Sequence, residues 1–229
     1  MSRTTQPRAA AVTIAVAALC SAAVSQVSAQ SGRQPDARHG AVIAAQGTAS
    51  VPACAQCHAF SGASDSSGAF PRIAGQSAFY LAGQMRDFAS AQRMNAIMSP
   101  IAKALSADDT ADVIEYYAGI SGEFMPLAGA DTTIVEKGRQ LARVGDAARG
   151  IQACNNCHGP DGAGLPPAIP YLAGQYAPYI VLELQMWKRG FRKSSAETMG
   201  VIAKQLDDQE IAAVAAFYQQ ARGSAVVAK

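Results

Sequence analysis

The sequence predicts an all-α protein built from two tandem domains that an internal repeat relates to each other. Blocks of residues recur in the same order at a separation of about 100 positions along the 229-residue chain. Each block ends in a segment with the capping residues and the apolar spacing of an amphipathic helix. No alternation of apolar and polar residues of strand length occurs, which argues against a sheet protein.

The N-terminal segment has the order typical of a secretory signal peptide. Arg3 and Arg8 precede an apolar stretch at 9–24, and a small-residue Val-Ser-Ala site follows. We expect residues 1–29 to be cleaved near Ala29 and the mature protein to be exported to the periplasm. An uncleaved N-terminal anchor, which would hold the same domains at the membrane surface, is the alternative. No later apolar run is long enough to span a bilayer.

The mature chain is formally neutral but asymmetric in charge. Without Arg3 and Arg8, the 19 basic and 17 acidic residues become 17 of each. Residues 30–129 carry six basic and eight acidic side chains, and residues 130–229 carry eleven and nine. Much of the positive charge lies in one short segment that contains Lys188, Arg189, Arg192 and Lys193. A solvated helix end and a docking patch for an acidic partner both fit this pattern.

Each half contains one Cys-x-x-Cys-His motif. Side chains three and four residues apart share a face of a helix, so Cys54, Cys57 and His58 can address one porphyrin. The thiols add to the haem vinyl groups and the imidazole binds the iron. The corresponding residues of the second half are Cys154, Cys157 and His158. The sequence therefore predicts two covalently bound haem c groups.

Four cysteines in an exported protein also allow two other interpretations. They could form two disulfides, or the two pairs could build one tetrahedral zinc site. Neither explains why a histidine follows the second cysteine in both motifs. The stretch between the pairs is also far longer than a zinc ribbon uses. The doubled motif therefore favours haem attachment.

Other parts of the repeat indicate where the helices and loops lie. Gly40 aligns with Gly138 in the expected first helix of each half, where a missing side chain would let another helix cross closely. Residues 61–71 and 159–170 are rich in Gly, Ser and Pro and predict irregular loops beside each haem.

A capped helix is expected to close each half. Ser106 and Asp207 stand at N-cap positions, with Asp109 and Glu210 three residues later. Behind the caps lies an inward face made of Val113, Ile114 and Tyr117 in the first half and of Val214, Ala215 and Tyr218 in the second. We place the domains at 30–122 and 131–229, joined by a linker at 123–130.

The repeat also predicts the sixth iron ligands. Of the seven methionines, only Met98 and Met199 occupy equivalent positions, forty and forty-one residues after the histidine of each motif. Two methionines in register are better explained as axial ligands than as core packing. His39, the third histidine of the chain, aligns with a lysine, which excludes bis-histidine ligation of both haems. The expected iron ligands are His58, Met98, His158 and Met199.

The complete order of motifs resembles the two-haem cytochromes of the cytochrome c4 family. Besides the haem motifs it includes Pro-x-[Ile/Leu]-Ala-Gly-Gln at 71–76 and 170–175 and Met-x-x-Ile-Ala at 98–102 and 199–203. The resemblance implies two small all-α class I cytochrome c domains that pack face to face, with their haem edges close together. It also implies that the carbonyls of Pro71 and Pro170 accept the N–H of each proximal imidazole.

One segment departs from the family pattern. Gly159 and Pro160 follow the second haem motif, whereas Ala59 and Phe60 follow the first. This difference does not touch the ligands. It indicates that the surroundings of the first haem differ from those of the second.

An iron with histidine and methionine on both axial positions has no open site for a substrate, and the thioether favours the ferrous state. We therefore expect an electron carrier rather than an enzyme, a periplasmic cytochrome that links a membrane respiratory complex or dehydrogenase to a terminal oxidase or reductase. Its expected partners are redox proteins, with peripheral association at the membrane, and no nucleic acid. The alternative is the cytochrome subunit of an exported flavin sulfide, alcohol or thiosulfate dehydrogenase. A dihaem peroxidase or a thiosulfate-oxidising enzyme is disfavoured by the symmetry of the two methionines.

Overall fold

The computed structural model describes residues 33–64, 67–121 and 129–221, and all regular structure in these ranges is helical. Three isolated backbone bridges occur there, and no strand. The predicted all-α class is therefore confirmed. The expected signal peptide and most of the expected linker at 123–130 lie outside the described residues. Among the helices of the described ranges, none has the length and apolar character that crossing a membrane requires.

The two halves contain the same helices in the same order. The first half contains α1 (Ala37–Gln46), α2 (Ala55–His58), α3 (Ala78–Ala89), α4 (Met98–Ala104) and α5 (Ala107–Ala118). The second half contains α6 (Thr132–Arg143), α7 (Asn155–His158), α8 (Ala177–Lys188), α9 (Val201–Gln205) and α10 (Asp208–Gln220). Short 3₁₀ turns at Ala147–Arg149 and Pro160–Gly162 and a π-helical turn at Ala196–Gly200 occur only in the second half, as far as the described residues extend. Both halves belong to one compact unit, Pro35–Lys229.

The first and last helices of each half cross at a glycine, as the sequence predicts. A Cβ atom on Gly40 would lie 2.0 Å from the carbonyl oxygen of Asp112 in α5. A Cβ atom on Gly138 would lie 2.0 Å from the carbonyl oxygen of Ala213 in α10. Both distances are far shorter than any real contact. Glycine is therefore required at both crossings, because any side chain would push the two helices apart.

The predicted caps begin the closing helices. The Ser106 hydroxyl accepts a hydrogen bond from the N–H of Asp109 at 3.0 Å. Asp207 and Glu210 form a reciprocal capping box, each carboxylate accepting the backbone N–H of the other residue. These caps fix where α5 and α10 begin, which sets the face that each helix turns inward. The six residues predicted for that face are all buried: Val113, Ile114, Tyr117, Val214, Ala215 and Tyr218.

Candidate haem sites and the contact between the halves

Each haem motif forms a single helical turn that gathers its three functional side chains. In α2, the N–H groups of Cys57 and His58 both donate to the carbonyl oxygen of Cys54, at 3.2 and 2.9 Å. The turn in α7 repeats these bonds between the equivalent residues at the same two distances. None of the four cysteines of the motifs forms a disulfide. The two cysteines and the histidine of each motif are thus placed on one turn, as attachment of one haem requires.

The proximal histidines are buried and oriented by a backbone carbonyl. Nδ1 of His58 lies 3.1 Å from the carbonyl oxygen of Pro71, and Nδ1 of His158 lies 3.0 Å from that of Pro170. A carbonyl oxygen can only accept, so Nδ1 carries the hydrogen and Nε2 keeps the lone pair that a metal binds.

Burial also lowers the pKa of both histidines. Loss of hydration disfavours the charged imidazolium of His58 and of His158, and the hydrogen bond to the proline carbonyl opposes this effect only in part. The neutral ring is the form that can ligate iron. Both histidines therefore have the neutral form and the ring orientation that a haem iron requires.

The same pair of loop hydrogen bonds holds the proline carbonyl in place in each half. Gly62 accepts the N–H groups of Ile73 and Ala74 through its carbonyl oxygen, at 2.9 and 3.2 Å. The carbonyl oxygen of Gly162 likewise accepts two N–H groups, from Leu172 and Ala173. Each loop is therefore tied to the segment that immediately follows its proline. This restricts the position of the carbonyl that orients each histidine.

The departure from the family pattern after the first haem motif has a conformational cost. Ala59 adopts φ 55° and ψ 159°, and Gly159 adopts φ 73° and ψ 174° at the equivalent position. A glycine reaches this region freely, whereas a Cβ atom makes it strained. The two haem turns therefore have the same backbone shape, but only the first one is strained.

Replacing Ala59 with glycine is expected to raise the free energy of unfolding by about 1 kcal/mol. Relief of about 1–3 kcal/mol of strain is partly offset by the greater freedom of glycine in the unfolded chain. Denaturant unfolding of the haem-loaded protein measures the change. The matched control, Gly159→Ala, should lower stability, because the same strain would be introduced into the second half. A stability loss on Ala59→Gly would contradict this account.

The two methionines lie at equivalent positions but in different local structures. Met98 is the first residue of α4, and the side chain of Asn95 accepts its N–H at 2.8 Å. Met199 lies in the π-helical turn Ala196–Gly200, a rare structure that often occurs at functional sites. Met199 and Cys154 pack against the same apolar core. Both methionine side chains are half-buried.

The zinc alternative finds no support in the site geometry. Throughout the described ranges, no three His, Cys, Asp or Glu side chains are grouped in a way that could hold a metal ion. The residues present instead fit haem c, which needs two thiols and one buried neutral imidazole on a single turn. His39 serves a structural purpose: its Nδ1 lies 2.8 Å from the buried carboxylate of Asp112, on the crossing of α1 and α5.

The basic segment near the end of α8 does not form one exposed patch. Arg192 is only 4% exposed and points into the contact between the halves. Lys188 donates to the carbonyl oxygen of Leu206 at 2.7 Å. Only Arg189 and Lys193 remain exposed. The structure therefore does not support a docking patch made of all four residues.

Two glutamines form reciprocal contacts between the halves that the sequence did not reveal. The side-chain oxygen of Gln175 accepts the N–H of Arg72 at 2.9 Å, and its amide nitrogen donates to the carbonyl oxygen of Arg72 at 3.0 Å. Gln76 makes the same pair of bonds with Tyr171, both at 3.3 Å. The only signal in the sequence is that both glutamines end the shared Pro-x-[Ile/Leu]-Ala-Gly-Gln motif.

A buried charged cluster forms a second part of this contact. Glu183 accepts hydrogen bonds from Arg93 and Arg192, one on each carboxylate oxygen, both at 2.5 Å. The side-chain oxygen of Gln84 accepts from the same two guanidinium groups, at 2.8 and 2.7 Å. Arg93 also donates to the hydroxyl of Tyr179 at 2.6 Å. The cluster contains two buried cations for one carboxylate, because glutamine occupies in the first half the position that Glu183 occupies in the second.

The comparison with known proteins agrees with this site. A family model described as Cytochrome c matches residues 135–222. Cytochrome c4 of Pseudomonas aeruginosa is 36% identical over 184 residues, which cover 79% of this chain and 90% of that protein. A thiosulfate dehydrogenase electron acceptor of Stutzerimonas stutzeri is 37% identical over 188 residues, 81% of this chain and 87% of the relative.

Two solved structures share the fold. Reduced recombinant cytochrome c4 from Pseudomonas stutzeri superposes with a TM-score of 0.71 at 28% identity, over 82% of this chain and 99% of that one. The thiosulfate dehydrogenase TsdBA of Marichromatium purpuratum superposes with a TM-score of 0.75 at 37% identity, over 81% of this chain. This chain spans only 40% of the length of that larger protein. Both likenesses extend across the two halves, so they concern the whole two-domain arrangement.

Proposed function

The chain belongs to the cytochrome c4 family and is an electron-transfer cytochrome c, and from this premise we propose that it carries two haem c groups in the periplasm. Cys54 and Cys57 would attach the first haem, and Cys154 and Cys157 the second. The expected iron ligands are His58 with Met98 and His158 with Met199. When bound, each haem supplies an iron that cycles between the ferric and ferrous states by one electron.

The observation that carries this proposal is the pair of buried histidines. Each sits one residue after the second cysteine of its motif, and each gives its Nδ1 hydrogen to a proline carbonyl. The chain thereby keeps Nε2 free for iron and fixes the plane of the ring. The methionines in register provide one thioether for each haem. With both axial positions taken, we infer a carrier of single electrons and no turnover of small substrates.

An optical redox titration of the purified protein, with haem quantification, tests the proposal. We expect two haems per chain, two reversible one-electron steps at positive potential and a methionine-ligated spectrum for both. One haem per chain, or a five-coordinate resting iron, would overturn it. The N-terminal residue of the mature protein tests export separately, since cleavage near Ala29 leaves a chain that begins close to Gln30.

A thiosulfate dehydrogenase is a specific candidate for the electron donor. The relative from Stutzerimonas stutzeri is named as the electron acceptor of such an enzyme, and TsdBA carries the same two-domain fold in its chain. Mixing the oxidised cytochrome with thiosulfate and a purified thiosulfate dehydrogenase should reduce both haems. Thiosulfate alone should leave them oxidised. Reduction by thiosulfate without the enzyme would instead indicate catalysis by the cytochrome itself.

A further inference from the structure

We propose that Gln76 and Gln175 are positioning residues for electron transfer between the two haems. Each glutamine holds, from the opposite half, the peptide group that orients a proximal histidine. This inference rests on the proposed function, because it requires a haem on each half.

One peptide group connects the first histidine to the second half. The carbonyl of Pro71 accepts the hydrogen of His58 Nδ1, and the N–H of the same peptide group belongs to Arg72. That N–H donates to the side-chain oxygen of Gln175 at 2.9 Å. When the N–H of a peptide group donates a hydrogen bond, the whole group is polarised. The carbonyl of that group then becomes a stronger acceptor. Gln175 can therefore affect how strongly His58 is held and how electron-rich its ring is.

The second half repeats this arrangement in the opposite direction. The carbonyl of Pro170 accepts from His158 Nδ1, and the N–H of the same peptide group belongs to Tyr171. That N–H donates to the side-chain oxygen of Gln76 at 3.3 Å. This hydrogen bond is 0.4 Å longer than the 2.9 Å bond between Arg72 and Gln175. We therefore expect the first histidine to be the more strongly affected of the two.

The residues that make these hydrogen bonds are buried, so solvent does not compete for them. Gln76, Gln175, Arg72 and Tyr171 are 5–7% exposed. The hydroxyl of Tyr171 adds a further bond across the contact, to the carbonyl oxygen of Ala74 at 2.9 Å. Polar groups buried in this way cost about 1–3 kcal/mol each when a partner is removed. The two halves are thus held in one arrangement, and the separation of the haems that they carry is fixed with it.

The test uses Gln76→Met and Gln175→Met, singly and together, in the haem-loaded protein. Methionine has a similar length but neither bond. The control is Gln140→Met, at an exposed position on α6. After rapid photoreduction, we expect electron redistribution between the haems to slow about tenfold in the double variant, since small displacements of reacting groups have large effects on rates. Haem content and the methionine-ligated spectrum should remain those of the parent, and Gln140→Met should behave as the parent does.

The single variants give a result that a merely structural role would not produce. Gln175→Met should shift the potential and the histidine resonances of the first haem more than those of the second, although it lies in the second half. Gln76→Met should do the reverse and by less. Effects confined to the haem of the mutated half, or parent-like redistribution in both single variants, would overturn the proposal, even if the double variant does not fold. A parent protein with one haem would instead refute the proposed function.

Discussion

Replacing Met98 with alanine is expected to lower the reduction potential of the first haem by on the order of 0.1 V, within the ~0.8 V range that axial ligands control. Met199→Ala should do the same to the second haem. The thioether favours the ferrous iron, so its loss stabilises the ferric form. Each variant should also leave one iron with an open or water-filled position. Redox titration and loss of the methionine–iron absorption band of one haem measure the change.

Met94→Ala is the matched control for the first haem. Met94 lies four residues before Met98, is 53% exposed and aligns with no methionine in the second half. The Met94→Ala variant should have the same two reduction potentials and the same two haem spectra as the parent. If Met98→Ala kept a methionine-ligated spectrum for both haems, Met98 would not be the ligand. If Met98→Ala or Met199→Ala gained peroxide turnover, the methionine at the sixth position of the iron would be what prevents this reaction in the parent protein.

Replacing Glu183 with glutamine is expected to destabilise the folded protein by about 3–5 kcal/mol, the usual cost of removing one partner of a buried ion pair. The side chains of Arg93 and Arg192 are 6% and 4% exposed, and Glu183 is the carboxylate that bridges them. Without it, two guanidinium groups would face each other across the contact between the halves. Denaturant unfolding followed by circular dichroism measures the loss.

Glu197→Gln, at an exposed position of the same half, is the control and should change stability by less than about 0.5 kcal/mol. A double variant, Glu183→Gln with Arg192→Gln, should recover part of the loss, because it removes one of the two uncompensated cations. A loss below about 1 kcal/mol for Glu183→Gln would mean that the carboxylate is not what balances the arginines.

Local patterns in the chain determined most of the fold and the inner part of each haem site. Gly40 and Gly138 are marked by the repeat and contact the last helix of their half, at Asp112 and Ala213. The caps at Ser106 and Asp207 and the helical turn of each haem motif act within a few residues of the chain. Their effect is set by helical geometry, which has a fixed period, so spacing alone reveals them. The repeat then extended each interpretation from one half to the other and singled out two of the seven methionines.

The contact between the halves was decided only by the tertiary structure. Gln175 binds a backbone 103 residues away, and Arg192 is buried beside Gln84, although neither the repeated motif nor the basic segment indicates these partners. The spacing of residues along a helix does not reveal such partners, because their burial depends on how the two folded halves pack together. For the same reason, neither a solvated helix end nor a docking patch describes the whole basic segment, because Arg192 is buried in the contact. The sequence by itself thus determined what each half is, and the packing of the halves decided how the two candidate haem sites are joined.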